Sequence, residues 1–267
     1  MINDVKNALN AIVGTATNLQ NAAGAGRVFE LFVMTGIACA LRTRGYDVWL
    51  QRSDGTRISP TDSDRRFIQR GGAPSGISGQ AKGPNNASSI GFQRGACPKW
   101  EILNGIQFRG RSSAKHEIDL AIVPQSVASS LRSNPTGGIP LGRPRVSIEC
   151  KDVGTNGSVD EMRAFVARLY DLTLLKAHHP YLSVSAQTAQ AIHPASPPGP
   201  VHRPALTYWI ENRRTMNVIA RRTGFRSGAA ALTGYHAVEP HGGIAAGTVA
   251  ADKLMDDVAE WILAKGY

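Results

Sequence analysis

Apolar residues near the start recur at helical spacing. Val5, Leu9, Ile12, Val13, Ala16 and Leu19 predict an amphipathic helix over residues 3–22, broken by Gly24 and Gly26. Residues 27–44 predict a strongly apolar helix that stops at Gly45, after Arg42 and Arg44. Tyr46 to Leu50 reads as a strand. The pattern is then lost over 53–98, where Gly, Ser, Pro and Asn dominate, which predicts an insertion leaving the core. Such a stretch either touches a ligand or is a tolerated surface excursion. Trp100 to Phe108 alternates, with a kink expected at Gly105, and Arg109 to Lys115 is a basic turn. Strands follow over 116–123 and 145–151, separated by a Gly/Pro-rich loop over 126–144. A helix over 159–176 carries Met162, Phe165, Val166, Leu169 and Leu172 on one face. Beyond a Pro-rich loop over 193–204, residues 205–210 predict a strand. Residues 212–230 have no clear period, 235–238 suggest a short strand, and 248–265 an amphipathic helix. No internal repeat appears. This order implies an α/β fold with a central mixed β-sheet flanked by helices.

The two strands around residue 120 and residue 148 hold the candidate chemistry. Side chains alternate faces along a strand, and residues two apart on one face lie roughly 6.7 Å from each other. Alternation puts Ile118, Leu120 and Ile122 on one face of the first strand, with Glu117 and Asp119 on the other. In the second, Val146, Ile148 and Cys150 oppose Glu149 and Lys151. If the strands are neighbours, three carboxylates and one ammonium converge. Hard divalent cations take oxygen ligands, one or two carboxylates among them, and lower the pKa of water they bind. Asp119 and Glu149 are the natural pair, the backbone carbonyl of Cys150 a further ligand, and Lys151 is placed to orient or deprotonate the attacking water. Glu30 is the only acid in its apolar helix. Buried there it needs a partner, and Lys151, Arg27 or a water on the metal would serve; the alternative is a helix-start glutamate exposed beside Arg27.

The chain has 267 residues and 42% hydrophobic residues, enough for a substantial core. No apolar run is long enough to span a membrane, and the first residues lack the features of a secretory signal. Cys39, Cys97 and Cys150 suggest neither zinc spacing nor a disulfide framework, so a reducing cytoplasm is expected. The charge of +10 is uneven: +8 over 42–115 and +5 over 201–230, balanced over 1–41 and 116–200, and −3 over 231–267. Positive charge flanking an acidic motif fits a polyanionic partner, with nucleic acid the leading candidate and a basic surface kept for solubility the alternative. Arg57, Arg65, Arg66, Arg70, Arg109, Arg111, Arg213, Arg214, Arg221 and Arg222 are the candidate phosphate contacts.

Asp119, then Glu149-Cys150-Lys151, with Glu30 on an upstream helix, resemble the PD-(D/E)XK nuclease superfamily, the restriction-endonuclease-like fold. The order helix, three strands, helix, strand over residues 25 to 211 is similar to that family's core. The family's Pro before the Asp is replaced by Ile118, and Glu117 is an extra acid, an auxiliary ligand or the partner of a basic residue. The resemblance implies an N-terminal helical extension over 1–24 and one nuclease-like domain over 25–267. That domain would carry the basic insertion at 53–98 and C-terminal elements from 205. It implies a Mg²⁺-dependent DNA endonuclease, with Mn²⁺ substituting, in which Asp119 and Glu149 bind metal and Lys151 assists the water. Restriction and phage defence are among the pathways that use this chemistry. Expected partners are DNA, a second copy of the chain, since cutting both strands needs two sites, and a protein supplying recognition or ATPase activity. The alternatives are a non-catalytic nucleic-acid-binding protein on the same scaffold and an RNA-directed nuclease. No aromatic platform argues for single-strand recognition, the histidines lack metal-ligand spacing, and His116 and Cys150 read as structural.

Overall fold

The computed structural model of this chain describes residues 1–22, 24–69, 76–77, 86–110, 112–134, 137–140, 142–172 and 215–267. The predicted strand at 205–210, the Pro-rich loop, the last turn of the helix expected to reach 176 and part of the 53–98 stretch lie outside the described residues.

Helix α1 (Ile2–Val13) is shorter than predicted. Gly14, at φ +85°, takes the left-handed cap position that glycine adopts without penalty, and its N–H donates to the Asn10 carbonyl. The chain then forms β1 (Asn18–Gln20) instead of further helix. Helix α2 (Ala25–Thr43) follows, and then β2 (Asp47–Gln51), β3 (Arg66–Ile68), β4 (Ser89–Gln93), β5 (Trp100–Arg109) and β6 (Lys115–Pro124). Helix α3 (Gln125–Arg132), β7 (Val146–Lys151), α4 (Val159–Leu172), β8 (Met216–Arg221), α5 (Ser227–Tyr235), β9 (Glu239–His241) and α6 (Val249–Ala264) complete the described elements.

Seven strands form one mixed sheet in the order β2-β4-β5-β6-β7-β8-β9, and β1 pairs with β3 in a separate parallel ribbon. Pairing is antiparallel from β2 to β7 and parallel across β7, β8 and β9. A parallel neighbour requires a crossover, and α4 lies in the connection from β7 to β8. One sheet face buries α1, α2 and α6 through Leu9, Phe29, Ile37, Leu254 and Val258 against Leu120, Ile148 and Val218. The other buries α3, α4 and α5 through Leu131, Phe165, Leu169 and Ala229 against Ile106, Ala121 and Ile219. The fold is thus α/β, a mixed seven-stranded sheet between two helical layers.

Four expectations are corrected. Residues 89–93 do not leave the core, because β4 sits between β2 and β5. Its Gly91, which reads as loop, is required by packing: a Cβ there would lie 2.3 Å from the Trp49 ring. The 126–144 loop begins as α3, whose Val127, Ala128 and Leu131 are buried and whose Arg132 grips the fully buried Glu101 at 2.7 and 2.6 Å. Residues 212–230 contain an interior strand, β8, disguised by Asn217 and Arg221, both of which are buried. The strand expected at 235–238 is the end of α5 followed by a turn, with β9 starting at Glu239. Among the described residues no helix is long and apolar enough to cross a membrane.

Candidate active site

The site forms where β6 and β7 part. The two strands are paired only from Leu120–Ile122 to Val146–Ile148, so Asp119, Glu149, Cys150 and Lys151 lie just past the last rung. The β5–β6 ladder breaks at the same level, being registered at Asn104–Leu120 and Ile106–Ile118 but not at Gly105–Asp119. Gly105 is at φ +55°, a left-handed conformation favouring glycine, so the kink expected there is present. The kink also corrects the face assignment. Ile118 belongs to the core on the α4 side, whereas Leu120 and Ile122 belong to the core on the α2 side. Strict alternation fails where both strands turn over together.

The break leaves Asp119 turned toward β7, where its Oδ2 accepts the Cys150 backbone N–H at 2.8 Å. Lys151 Nζ lies 2.5 Å from Glu149 Oε1 and 4.0 Å from Asp119 Oδ2. Glu30 comes in from the first turns of α2: Asn104 Nδ2 donates to Glu30 Oε2 at 2.7 Å and to the Asp119 carbonyl at 3.1 Å. Gln69 Nε2 donates to Asn104 Oδ1 at 2.5 Å, which fixes the orientation of that amide. Arg168 on α4 donates to Glu149 Oε1 at 2.5 Å and to the Glu117 carbonyl at 3.1 Å. Its helix starts with Ser158, whose Oγ accepts the Glu161 N–H, and with Asp160 and Glu161 in the first turn, both favourable at a helix N-terminus.

Electrostatics tie these groups together. Burial, and after it the Glu149 charge, push the Asp119 carboxyl up to about 7; Lys151 opposes and Glu30 adds to the shift. Burial disfavours the Lys151 ammonium, but Glu149 and Asp119 outweigh it and hold Lys151 above the usual lysine value. Lys151 is therefore a cation at neutral pH, suited to orienting an oxygen and balancing phosphate charge, and less suited to taking a proton. Burial pushes the Cys150 thiol up, and Asp119, Glu30 and Glu149 push it further, so it is not a nucleophile.

Glu149 Oε2 is buried with no hydrogen-bond partner among the described residues, although its other oxygen carries two cations. An unpaired buried carboxylate oxygen is costly and calls for a charged or polar partner. Oxygen donors of this kind suit Mg²⁺ or Mn²⁺, so Asp119, Glu149 and Glu30 fit a hard cation.

Asn104, Gln69 and Arg168 were missed in the sequence. Asn104 carries a weak signal as a polar residue inside an apolar strand, and Gln69, next to Arg70, and Arg168 carry none. The basic set is reduced. Arg221, expected on the surface, is fully buried with its guanidinium on Glu161 and on the Thr155 carbonyl, so it is withdrawn as a phosphate contact. Arg57, Arg66 and Arg222 pair with Asp47, Asp64 and Asp152. Arg65 donates to the Ala16 and Asp62 carbonyls, and Arg109 is half-buried at the end of β5. Arg70, Arg111, Arg213 and Arg214 lie outside the described residues. His116 is joined to Asp171 at 2.5 Å, linking β6 to the end of α4.

Compared with models of known protein families, with characterised proteins and with solved structures, the chain matches none.

Proposed function

We propose that this chain is a Mg²⁺-dependent nuclease of the PD-(D/E)XK kind that hydrolyses phosphodiester bonds of DNA. The observation that carries the reading is the meeting of Asp119, Glu149, Lys151 and Glu30, from two strands and a helix, at the fork between β6 and β7. Along the chain α2 is followed by β5, β6, β7 and α4, with β2, β3 and β4 coming in after α2 and α3 after β6, and the last strand of the expected order, 205–210, lies outside the described residues.

In this reading Asp119 and Glu149 hold the cation, the Cys150 carbonyl adds a ligand, and Glu30 supports the same position from behind. When bound, Mg²⁺ supplies Lewis-acid stabilisation of charge on the phosphate. Lys151 orients the attacking water and offsets charge on the phosphoryl oxygens. A cation there would draw the Asp119 carboxyl, raised to about 7 in its absence, back to the ionised form that a ligand needs. The Asn104 amide holds Glu30 toward the site, and Gln69 holds Asn104.

The test is supercoiled plasmid incubated with Mg²⁺ or Mn²⁺. Nicking by the wild-type chain, lost in Asp119→Ala and strongly reduced in Lys151→Ala, is the expected result. Binding without nicking under either metal would reject the enzyme and favour a binding protein on this scaffold. Cleavage confined to RNA would reassign the substrate.

A further inference from the structure

At the end of the sheet, β9 and α6 bring together a different set of ligating side chains. Glu239 and His241 are two residues apart on β9, hence on one face, and Asp257 faces them from α6. One donor atom from each lies within 4.8 Å of the other two. We propose that these three residues bind a borderline divalent cation, Zn²⁺ or Mn²⁺ in preference to Mg²⁺.

The histidine carries the argument. Its side chain is only 10% exposed, and Nε2 points at both carboxylates, 3.7 Å from Asp257 Oδ2 and 3.9 Å from Glu239 Oε2. Those separations exceed hydrogen-bond reach, and no hydrogen bond to the ring is formed among the described residues. An imidazole side chain nine-tenths buried, its Nε2 standing between two carboxylates and within hydrogen-bond reach of neither, leaves a donor set open to a further partner. Donors sharing one ion at about 2.1 Å stand roughly 3.0–3.4 Å apart, so a cation between them requires the two gaps at Nε2 to close by roughly 0.3–0.9 Å. Glu239 is half-exposed on a three-residue strand at the end of the sheet and has room to make that movement. The imidazole sets the metal class: all-oxygen sites suit Mg²⁺, whereas a nitrogen donor beside carboxylates favours Zn²⁺ and its neighbours.

Lys253 is the competitor. One turn earlier on α6, its ammonium lies 2.6 Å from Asp257 Oδ2, the oxygen nearest His241. It is 66% exposed, so it can leave for solvent when a cation arrives. An ion held here would fasten the last strand of the sheet to the last helix. The set is separated from Glu149 by the whole of β8 and does not depend on the nuclease reading.

The experiment uses the full chain carrying Asp119→Asn, which weakens the carboxylate site at the fork, stripped with chelator and titrated calorimetrically with Zn²⁺ and with Mg²⁺. We expect one Zn²⁺ per chain, bound more tightly than Mg²⁺ and raising the thermal midpoint. Glu239→Gln and His241→Gln should each weaken Zn²⁺ by about tenfold or more, and Lys253→Met should tighten it. Because Glu239 is half-exposed, its substitution tests the site even if His241→Gln fails to fold. Absence of Zn²⁺ binding, or binding unchanged in Glu239→Gln, overturns the proposal.

Discussion

Asp119→Asn should make the metal-free protein more stable while removing its activity. The unfolded carboxyl ionises near 3.8, and the folded one is pushed to about 7. Between those values the folded state holds its proton longer than the unfolded chain does. Stability therefore falls as pH rises through that window, and the loss is complete above about pH 7. A rise from 3.8 to about 7 sets a ceiling of roughly 4 kcal/mol at 1.36 kcal/mol per unit. Asp119 is 14% exposed, so solvent screening discounts this little, but much of the repulsion is shared with Glu149. The neutral amide keeps an oxygen for the Cys150 N–H while losing the attraction to Lys151. We expect a net gain of about 2 kcal/mol at pH 8, or roughly 4–8 °C in the thermal midpoint. The assay is thermal unfolding in chelator, wild type against variant, from pH 4 to pH 8. The gain should shrink toward zero near pH 4. A variant no more stable than wild type at pH 8, or a gain independent of pH, would refute the claim that Asp119 is held among like charges away from water.

Three further outcomes follow from named contacts. Asn104→Leu should lower plasmid nicking about tenfold and add little on a Glu30→Gln background, the non-additivity expected of one connected unit, with circular dichroism confirming the fold. Glu101→Ala leaves the Arg132 guanidinium buried without its partner and should cost about 3–5 kcal/mol in urea unfolding, whereas replacing both residues by apolar ones should cost less. Arg221→Met should lower stability yet leave the salt dependence of DNA binding unchanged, because a buried guanidinium releases no counterions from DNA.

What could be read from the chain was what repeats. Helices α2 and α6 bury residues at helical spacing and lie close to their predicted bounds, α4 begins where predicted, and β5, β6 and β7 alternate strongly enough to be placed. Failures came where side chains serve the third dimension. Gly91 reads as loop because its reason, the Trp49 ring, lies on another strand. Arg221 reads as surface because its partner Glu161 is 60 positions away. Helix α1 ended early because Gly14 acts through a left-handed cap, a local signal outweighed by apolar residues beyond it. In the site, Asp119, Glu149 and Lys151 were legible as acids and a base inside apolar strands. The residues that aim them were not, since an asparagine or glutamine inside the fold has no periodic signature. The alternation argument also failed at its most important position, because Gly105 turns the strands over beside Asp119.

That turn-over limits how the chain can change length. Glu149 and Lys151 are two apart on a strand with regular pairing to β8, so together they tolerate little besides substitution. Asp119 depends on the count between the Gly105 break and the Leu120–Ile148 rung. Removing one residue from Leu120 to Pro124 would shift the strand by one and swap its two faces. Asp119 would then leave the fork, and the apolar residues beyond it would exchange helical layers. Descendants of this sequence can thus let β6 drift in composition but not in length, and the same holds at the end of β3, where Gln69 must reach Asn104.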